Sequence, residues 1–314
     1  MVFSTLKEVL DTAKAGKYGV GAFNINDMEI AKAIGNAAKE EKSPVILAVS
    51  PSAIKYAGIE YIYEIARITA VKSNVPTVLH LDHGTDFADC VQCIRYGWSS
   101  VMYDGSKLPF QDNVAMTKKI VEFAHAAGVS VEAELGKLAG IEGHVSVSEK
   151  DAIFTNPGEA KTFVEQTGVD ALAVAIGTSH GAYKFKVKPG EPMPTLRFDI
   201  LEEVERRIPG FPIVLHGASS VIPEYVEMIN RYGGKIEGAA GIPEEQLRKA
   251  ARSAVCKINI DSDGRLVMTA MIRKAFAEDP KNFDPRTYLG PARDELTKLI
   301  ERKNREVLGS AGQA

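Results

Sequence analysis

The stretch from Thr77 to Gly84 reads TVLHLDHG, an apolar, β-rich run that stops at an aspartate, a histidine and a glycine. We predict a strand from Thr77 to Asp82, and seven further apolar runs of strand length occur along the chain, at 19–24, 45–50, 100–103, 129–135, 171–176, 213–216 and 254–260. Amphipathic stretches with helical spacing lie between them, without a long linker. Eight strands apolar enough to be buried on both faces, each followed by a helix, predict an α/β fold, the (β/α)8 TIM barrel. No glycine-rich dinucleotide fingerprint opens the first helix, which disfavours an open doubly wound sheet.

The composition is that of an ordinary globular enzyme. With 314 residues, 45% hydrophobic and 25% charged, the chain can bury a full core. We expect one barrel domain over residues 1–314, in which 265–314 form a C-terminal helical extension that contacts a partner subunit. The net charge of -3 provides no broad positive field for nucleic acid or a membrane surface. We see no targeting segment and no apolar run of membrane length, so we expect a cytoplasmic protein.

The three cysteines, Cys90, Cys93 and Cys256, form an odd set, which argues against a disulfide framework. The Cys90-x-x-Cys93 pair could be half of a zinc knuckle. No second pair exists, however, and the surrounding DFADCVQCIRYG has helical spacing. We therefore predict buried free thiols.

Three histidines lie where apolar runs stop and glycine begins: His83 in LHLDHG, His180 in AIGTSHG and His216 in VLHGASS. Parallel barrel strands present their C-terminal ends at one mouth of the barrel, so we expect these imidazoles to meet there. Three imidazoles with a fourth position left for substrate are typical of an open catalytic zinc site. His80 is the rival ligand because it shares the strand parity of Asp82, but its deeper position favours a hydrogen-bonded core residue.

Other polar residues fall at the predicted strand ends, namely Asn24, Ser50, Asp82, Glu132, Glu134, Asn259 and Asp261. Small residues also follow two of the histidines, as Gly181 with Lys184 nearby, and as Gly217 with Ser219. Backbone N–H groups in such turns can approach an anion closely. Their position after strands six and seven favours a phosphorylated substrate on that side of the barrel, and plain loop chemistry is the alternative.

Five motifs in order carry a family resemblance: HLDHG at 80–84, EAELG at 132–136, GTSHGAYK at 177–184, LHGASS at 215–220 and NIDSD at 259–263. Together they resemble the class II, zinc-dependent fructose-bisphosphate aldolases. The tail FDPRTYLGPAR at 283–293 resembles the fructose rather than the tagatose bisphosphate branch. The resemblance implies reversible cleavage of fructose-1,6-bisphosphate to dihydroxyacetone phosphate and glyceraldehyde 3-phosphate in glycolysis and gluconeogenesis.

The resemblance also implies roles for residues of this chain. The zinc ligands would be His83, His180 and His216, with Glu134 on the metal or on a second cation, divalent or monovalent. Asp82 would be the acid/base for the aldol hydroxyl. Glu142, in the glycine-flanked loop LAGIEGHVSV, would move the carbanion proton, and Asn259 would contact the reacting carbon framework.

The implied substrate contacts divide between the two phosphates. The dihydroxyacetone phosphate end would lie on Gly181, Lys184, Gly217, Ser219, Asp261 and Ser262. Arg265 and Arg286 would hold the distal phosphate, with Arg286 reaching across from a partner subunit of a homodimer or homotetramer. We expect Asn24 and Ser50, at the first two strand ends, to contact substrate as well. Ala218-Ser219-Ser220 and Asp263-Gly264-Arg265 vary within their motifs, which bears on phosphate affinity more than on chemistry.

Bond cleavage next to a carbonyl leaves an enediolate, whose negative charge must be stabilised. Zn²⁺ on the ketone and adjacent hydroxyl oxygens would act as the Lewis acid, while Asp82 removes the hydroxyl proton. Glu132 is a candidate to orient an imidazole by accepting its other N–H.

Other functions remain open on the sequence alone. A Schiff-base aldolase would use Lys257, which has the inward parity of Asn259, but would leave the three histidines unexplained. A barrel metallohydrolase, which activates water on zinc, uses similar ligands but usually adds a strand-end aspartate or a carboxylated lysine to them. The phosphate-type loops and the adjacent Asp82 and His83 argue against this class. A non-catalytic phosphate-binding protein would have no need of Asp82 and Glu142. A tagatose-1,6-bisphosphate aldolase would use the same chemistry on a substrate that differs in one hydroxyl.

Overall fold

The chain forms a closed barrel of eight parallel strands. The computed structural model describes residues 2–142, 145–147, 152–182, 194–236 and 238–314, with the backbone alone for 141, 142 and 145–147. The strands in these ranges are β1 (Val20–Asn24), β2 (Val45–Val49), β3 (Thr77–Gly84), β4 (Ser100–Tyr103), β5 (Ser130–Leu135), β6 (Gly140–Glu142), β7 (Val145–Val147), β8 (Ala171–Val174), β9 (Ile213–Leu215) and β10 (Val255–Ile260). The barrel order is β1-β10-β9-β8-β5-β4-β3-β2, which closes onto β1, while β6 and β7 form a separate antiparallel pair. The predicted (β/α)8 barrel is confirmed.

Helices surround the barrel and close one of its ends. They are α1 (Leu6–Gly16), α2 (Met28–Glu40), α3 (Pro51–Ala57), α4 (Ile59–Ser73), α5 (Phe87–Tyr96), α6 (Phe110–Ala126), α7 (Pro157–Thr167), α8 (Phe198–Arg207), α9 (Pro223–Arg231), α10 (Glu244–Ala251), α11 (Ser262–Glu278) and α12 (Pro285–Lys303), followed by a π-helical turn (Asn304–Leu308). Among the described helices, none is both long enough and apolar enough to cross a membrane.

The N-terminal end of the barrel interior is apolar and is closed by α1. Inward side chains near the strand starts, among them Val20, Ile46 and Val78, form one buried cluster with Leu6 and Leu10 of α1. Because α1 contacts β1, β3, β5 and β10, it lies across this mouth as a plug. Any substrate must therefore enter from the opposite, C-terminal mouth, where the strand-end polar residues lie.

The cysteines are buried free thiols, as expected. Cys90 and Cys93 lie inside α5, and Cys256 belongs to the barrel interior. Burial raises the pKa of the Cys90 thiol to about 12 and that of Cys256 to about 11. Such thiols remain protonated at neutral pH and serve as small packing groups rather than as metal ligands.

The predicted C-terminal helical extension is present and packs on its own barrel. Helix α12 lies against α2 and α11. Near its end, Arg302 donates to both carboxylate oxygens of Glu244 at 2.6 and 2.9 Å, and Lys303 donates at 3.0 Å. Burial alone would raise the pKa of Glu244, but the bonds from Arg302 and the charge of Lys303 lower it to about 2. Contact of this extension with a partner subunit stays a prediction.

Glu244→Gln should destabilise the protein at neutral pH. Because the pKa of Glu244 is lower in the folded chain than its ordinary value near 4.5, its ion pairs stabilise the fold above that pH. The stabilisation disappears as pH falls towards 2. We expect a loss of about 2 kcal/mol in the free energy of unfolding at pH 7, measured by urea titration, and a vanishing difference at acid pH. Glu64→Gln, which breaks an exposed pair with Arg67, is the control and should cost under about 0.5 kcal/mol. A constant difference across pH would contradict this account.

Candidate active site

Three imidazoles meet at the C-terminal mouth of the barrel. His83 is the penultimate residue of β3, His180 follows β8 and His216 directly follows β9, and all three are buried. The ring centroid of His83 lies 5.0 Å from that of His180 and 4.4 Å from that of His216. The rings of His180 and His216 are 6.5 Å apart. The structure thus brings together residues that are far apart in sequence, as their strand-end positions predict.

A bulge in β3 allows two consecutive residues to face this site. In a regular strand, Asp82 and His83 would point to opposite faces of the sheet. Between Leu81 and Gly84, however, the register with β4 shifts, and His83 adopts a left-handed backbone with φ 53°. Such a bulge redirects a side chain at the cost of local regularity. Both Asp82 and His83 therefore reach the same cluster, which strand parity alone does not predict.

Two glycines hold the backbone that carries His180. Gly140 has φ 105°, and a Cβ there would lie 2.3 Å from the His180 carbonyl oxygen. On the other side, a Cβ on Gly217 would lie 2.7 Å from the carbonyl group of Ser179. The His180 N–H and the Ser179 hydroxyl both donate to the Ala139 carbonyl at 2.8 Å. The position of His180 therefore depends on close backbone contact from two separate loops.

Carboxylates orient two of the three rings. The Nδ1 of His83 lies 3.3 Å from Asp104, and the Nε2 of His216 lies 2.7 Å from Glu132. Burial alone would raise the pKa of Asp104, but its hydrogen bond and charge interaction with His83 lower that pKa below its ordinary value. Carboxylate partners of this kind fix the orientation of metal-binding imidazoles. Glu132 was expected in this role, whereas Asp104 was missed although it directly follows β4, at a strand end like the others.

The arrangement fits a metal ion. Among the described residues, donor atoms of Asp82, His83 and His216 lie within 4.8 Å of one another, as do those of His83, Asp104 and Glu134. Imidazole nitrogens and carboxylate oxygens are the ligand types that zinc accepts. The two groups share His83, which therefore belongs to two neighbouring candidate sets of metal ligands. His180 lies beside the first group, with its ring centroid 5.0 Å from that of His83 and 6.5 Å from that of His216.

Asp82 is held in one orientation by two amides. Asn24 donates to one of its oxygens at 2.8 Å and Asn259 to the other at 2.9 Å. The oxygen bound by Asn259 also lies 3.8 Å from Nδ1 of His216. All of these groups are buried, so a carboxylate with fixed geometry lies directly beside the imidazole cluster.

A second polar layer lies deeper in the barrel. Lys257 is fully buried and donates to Glu132 at 3.0 Å, and His80 bonds Ser100 at 2.8 Å. Burial and then the positive charge of Lys257 hold the pKa of His80 well below its ordinary value, so His80 is neutral. His80 is thus the hydrogen-bonded core residue that the sequence favoured. The ion pair of Lys257 with Glu132 disfavours Lys257 as the amine of a Schiff-base mechanism, which requires an uncharged nitrogen.

The loop after β9 and the start of α11 form one unit. The Ser219 hydroxyl accepts the backbone N–H groups of Asp261 and Ser262, each at 3.1 Å. Arg265, one turn into α11, pairs with Asp261 at 2.7 Å and is largely exposed. Ser219 therefore joins the two segments, a structural role that its motif did not reveal.

Cationic side chains border a cavity beside this unit. It has a volume of about 410 Å³, and its lining includes Gly181, Ser262 and Arg265 together with Lys235 and Arg273. A cavity lined by three cationic side chains suits an anionic group such as phosphate. The sequence pointed to the first three of these residues but not to Lys235 or Arg273, which lack a motif.

Four further predicted site residues are not seen to join the imidazole cluster or the cavity among the described residues. Ser50 caps α3 by accepting the Ala53 N–H at 3.3 Å. The side chain of Arg286 is 89% exposed and pairs with Asp284 at 2.7 Å, so within the described chain it is directed to solvent. Lys184 lies outside the described residues, and of Glu142 only the backbone, in β6, is described.

Comparison with known proteins agrees with this geometry. The family model described as fructose-bisphosphate aldolase class-II matches residues 4–313. The fructose-bisphosphate aldolase of Treponema pallidum is 53% identical, covering 98% of this chain and 96% of that protein. That of Thermus caldophilus is 50% identical, covering 98% of both chains.

Solved structures share the architecture. The YdjI aldolase from Escherichia coli K12 superposes with a TM-score of 0.77 at 27% identity, covering 99% of both chains. A fructose-bisphosphate aldolase from Campylobacter jejuni gives a TM-score of 0.75 at 20% identity over 98% of this chain and 94% of the other, which bears on the fold alone. With its barrel, its imidazole cluster and its near full-length match, this chain belongs to the class II fructose-bisphosphate aldolase family.

Proposed function

We propose that this protein is a lyase that reversibly cleaves fructose-1,6-bisphosphate to dihydroxyacetone phosphate and glyceraldehyde 3-phosphate, with zinc as its cofactor. The observation that carries the proposal is the placement of Asp82, held by two amides, beside three converging imidazoles at the open mouth of the barrel. Membership of the family supports the reaction class. We expect the reaction to run in the cytoplasm, as part of glycolysis and gluconeogenesis.

The metal would be held by His83, His180 and His216. When bound, zinc supplies a Lewis acid that stabilises the negative charge developing beside the ketose carbonyl. Glu134 lies 4.0 Å from the His83 ring and is our candidate for contact with the same ion or with a second cation. Asp104 and Glu132 would keep their imidazoles in place while ligands exchange.

Asp82 would exchange the proton of the hydroxyl on the carbon that becomes the aldehyde. A general base must lie within hydrogen-bond reach of its proton in a fixed orientation, and the two amides provide that orientation. Asn259 would also contact the reacting carbon framework, because its side chain on β10 lies next to that of Asp82. Glu142 remains our candidate for moving the proton of the carbanion, on the strength of its motif.

Substrate binding would use both phosphates. We assign the ketose-end phosphate to backbone and side-chain groups near the start of α11, where a helix N-terminus favours an anion. The residues concerned are Gly181, Lys184, Gly217, Ser219, Asp261 and Ser262. Arg265 would hold the distal phosphate, and Asn24 and Ser50 would contact substrate as well. Arg286 would add to that site across the interface of a homodimer or homotetramer, in keeping with its exposure.

Metal dependence is the direct test of this function. Purified protein should cleave fructose-1,6-bisphosphate, lose activity after exhaustive chelation and recover it when Zn²⁺ is added, as measured by coupled detection of glyceraldehyde 3-phosphate. Activity that survives chelation would contradict the zinc mechanism. Activity confined to tagatose-1,6-bisphosphate would keep the chemistry but overturn the substrate.

Asp82→Ala should separate proton transfer from metal binding. We expect kcat to fall by about 10²–10⁴-fold because a positioned general base is lost. Bound zinc per chain, measured by atomic absorption, should stay near the wild-type value. Asp112→Ala, at an exposed position on α6, is the control and should leave kcat unchanged. Equal kcat in both variants would rule out the role of Asp82.

Gly140→Ala should weaken metal binding through His180. The added methyl group would collide with the His180 backbone, and a φ of 105° strains any residue but glycine. Since His180 would shift, we expect zinc affinity to fall by about tenfold or more, read by competition with a chromogenic chelator. Gly290→Ala, where a Cβ meets open space inside α12, should bind zinc normally. If both variants bind zinc like wild type, Gly140 does not position this ligand.

A further inference from the structure

We propose that the buried ion pair of Lys303 and Asp263 positions the loop that receives the ketose-end phosphate, so that the end of the C-terminal helix sets the affinity for phosphorylated substrate. The inference rests on the proposed function for the identity of the phosphate site. It assigns Lys303 and Asp263 as positioning residues, because neither is placed in contact with the reacting atoms.

Lys303 is the centre of a polar cluster at the end of α12. It is fully buried at the end of α12, and its ammonium group lies 2.9 Å from an Asp263 oxygen. It also donates to the Ser220 hydroxyl at 3.1 Å and to Glu244 at 3.0 Å. All three donor positions of an ammonium group are thus used by three different segments, which fixes α12, α11, α10 and the loop after β9 relative to one another.

Asp263 transmits this anchoring to the backbone of the loop. One of its oxygens accepts the Ser220 N–H at 3.0 Å and the other accepts the Val221 N–H at 2.7 Å. Val221 has φ 51°, a left-handed conformation that a β-branched residue adopts only under constraint. The carboxylate of Asp263 therefore helps to hold a strained turn that would otherwise relax.

The strained turn directly follows the candidate phosphate residues. Ser219 precedes it, and its hydroxyl accepts the N–H groups of Asp261 and Ser262 at the start of α11. Its carbonyl also accepts the Ile242 N–H at 3.1 Å. A shift of Ser220 and Val221 would consequently move Ser219 and the first turn of α11, both of which we assign to the phosphate.

Stability alone does not require such a pair. A buried ion pair can often be replaced by apolar groups of similar volume without loss of stability, because desolvation offsets much of the attraction between the charges. An apolar side chain at 303 would, however, supply no donor to Ser220 and no counter-charge to Asp263. The directional contacts are what the loop needs from this position.

Lys303→Met tests the proposal by separating phosphate affinity from metal binding. We expect the Kd for dihydroxyacetone phosphate, measured by calorimetry on the zinc-loaded protein, and the KM for fructose-1,6-bisphosphate to rise about tenfold or more. The kcat should change by less than about threefold, and zinc per chain should stay constant. Lys298→Met, an exposed lysine on the same helix that pairs with Glu295, is the control and should change none of these.

A backbone rescue distinguishes positioning from general destabilisation. If the cluster holds Val221 in its left-handed conformation, the Kd increase caused by Lys303→Met should be smaller in a Val221→Gly background, since glycine adopts that conformation freely. An increase of equal size in both backgrounds would overturn the proposal, whether or not zinc binding is retained. So would an unchanged Kd in folded Lys303→Met.

Ser220→Ala provides the milder variant in case Lys303→Met does not fold. It removes only the acceptor of the Lys303 hydrogen bond and should raise the Kd for dihydroxyacetone phosphate by about two- to fivefold. An unchanged Kd would contradict the proposal. Because binding is measured without turnover, wild-type protein that binds dihydroxyacetone phosphate but cleaves no sugar bisphosphate would refute the proposed function and leave this inference standing.

Discussion

Closure of eight parallel strands into one ladder is the constraint on which the rest of the structure depends. Once the ladder is closed, every inward side chain shares a single interior that water does not fill, so polar groups there must find partners among themselves. The interior is accordingly layered. Apolar side chains and the α1 plug occupy one end, and the Lys257 and Glu132 pair lies in the middle. The imidazole cluster lies at the open end, and Glu132 joins it to the middle layer through His216.

The candidate active site is built from departures from regular strand geometry. A bulge and a left-handed backbone at His83 bring two adjacent side chains to one face. Glycines at 140 and 217 allow two loops to approach the backbone of Ser179 and His180 closely. These irregularities cost conformational energy, which the regular ladder and the packed helices around it can support. The precision of the cluster thus comes from a rigid barrel that holds a few strained positions.

Helix α12 connects two parts of the proposed chemistry. Arg286 lies exposed at its start, where we propose its contact with a neighbouring subunit. Lys303 lies buried at its end, where it bonds the loop after β9. In this proposal a single helix would contact the distal phosphate in the site of a neighbouring subunit and position the ketose-end phosphate loop in the site of its own subunit.

Much of this protein could be predicted from its sequence. Periodicity identified the eight barrel strands and most of the helices, because runs buried on both faces differ from amphipathic stretches in their residue pattern. Helices α1, α3 and α10 were not anticipated, and strand ends differed by one or two residues. The strand-end rule placed His83, His180 and His216 at one mouth, since closure of a parallel barrel brings those ends together.

What only the tertiary structure decided is how these side chains contact one another. Asp104 as the partner of His83, the β3 bulge and the buried cluster of Lys303 and Asp263 follow from contacts between segments far apart in the chain. No local pattern marks such contacts, because a residue's spacing reports its own strand or helix and not the neighbour that will satisfy it. The sequence by itself therefore determined the barrel and the residue types at its mouth. The distances and orientations that make those residues a site arise only when the ladder closes.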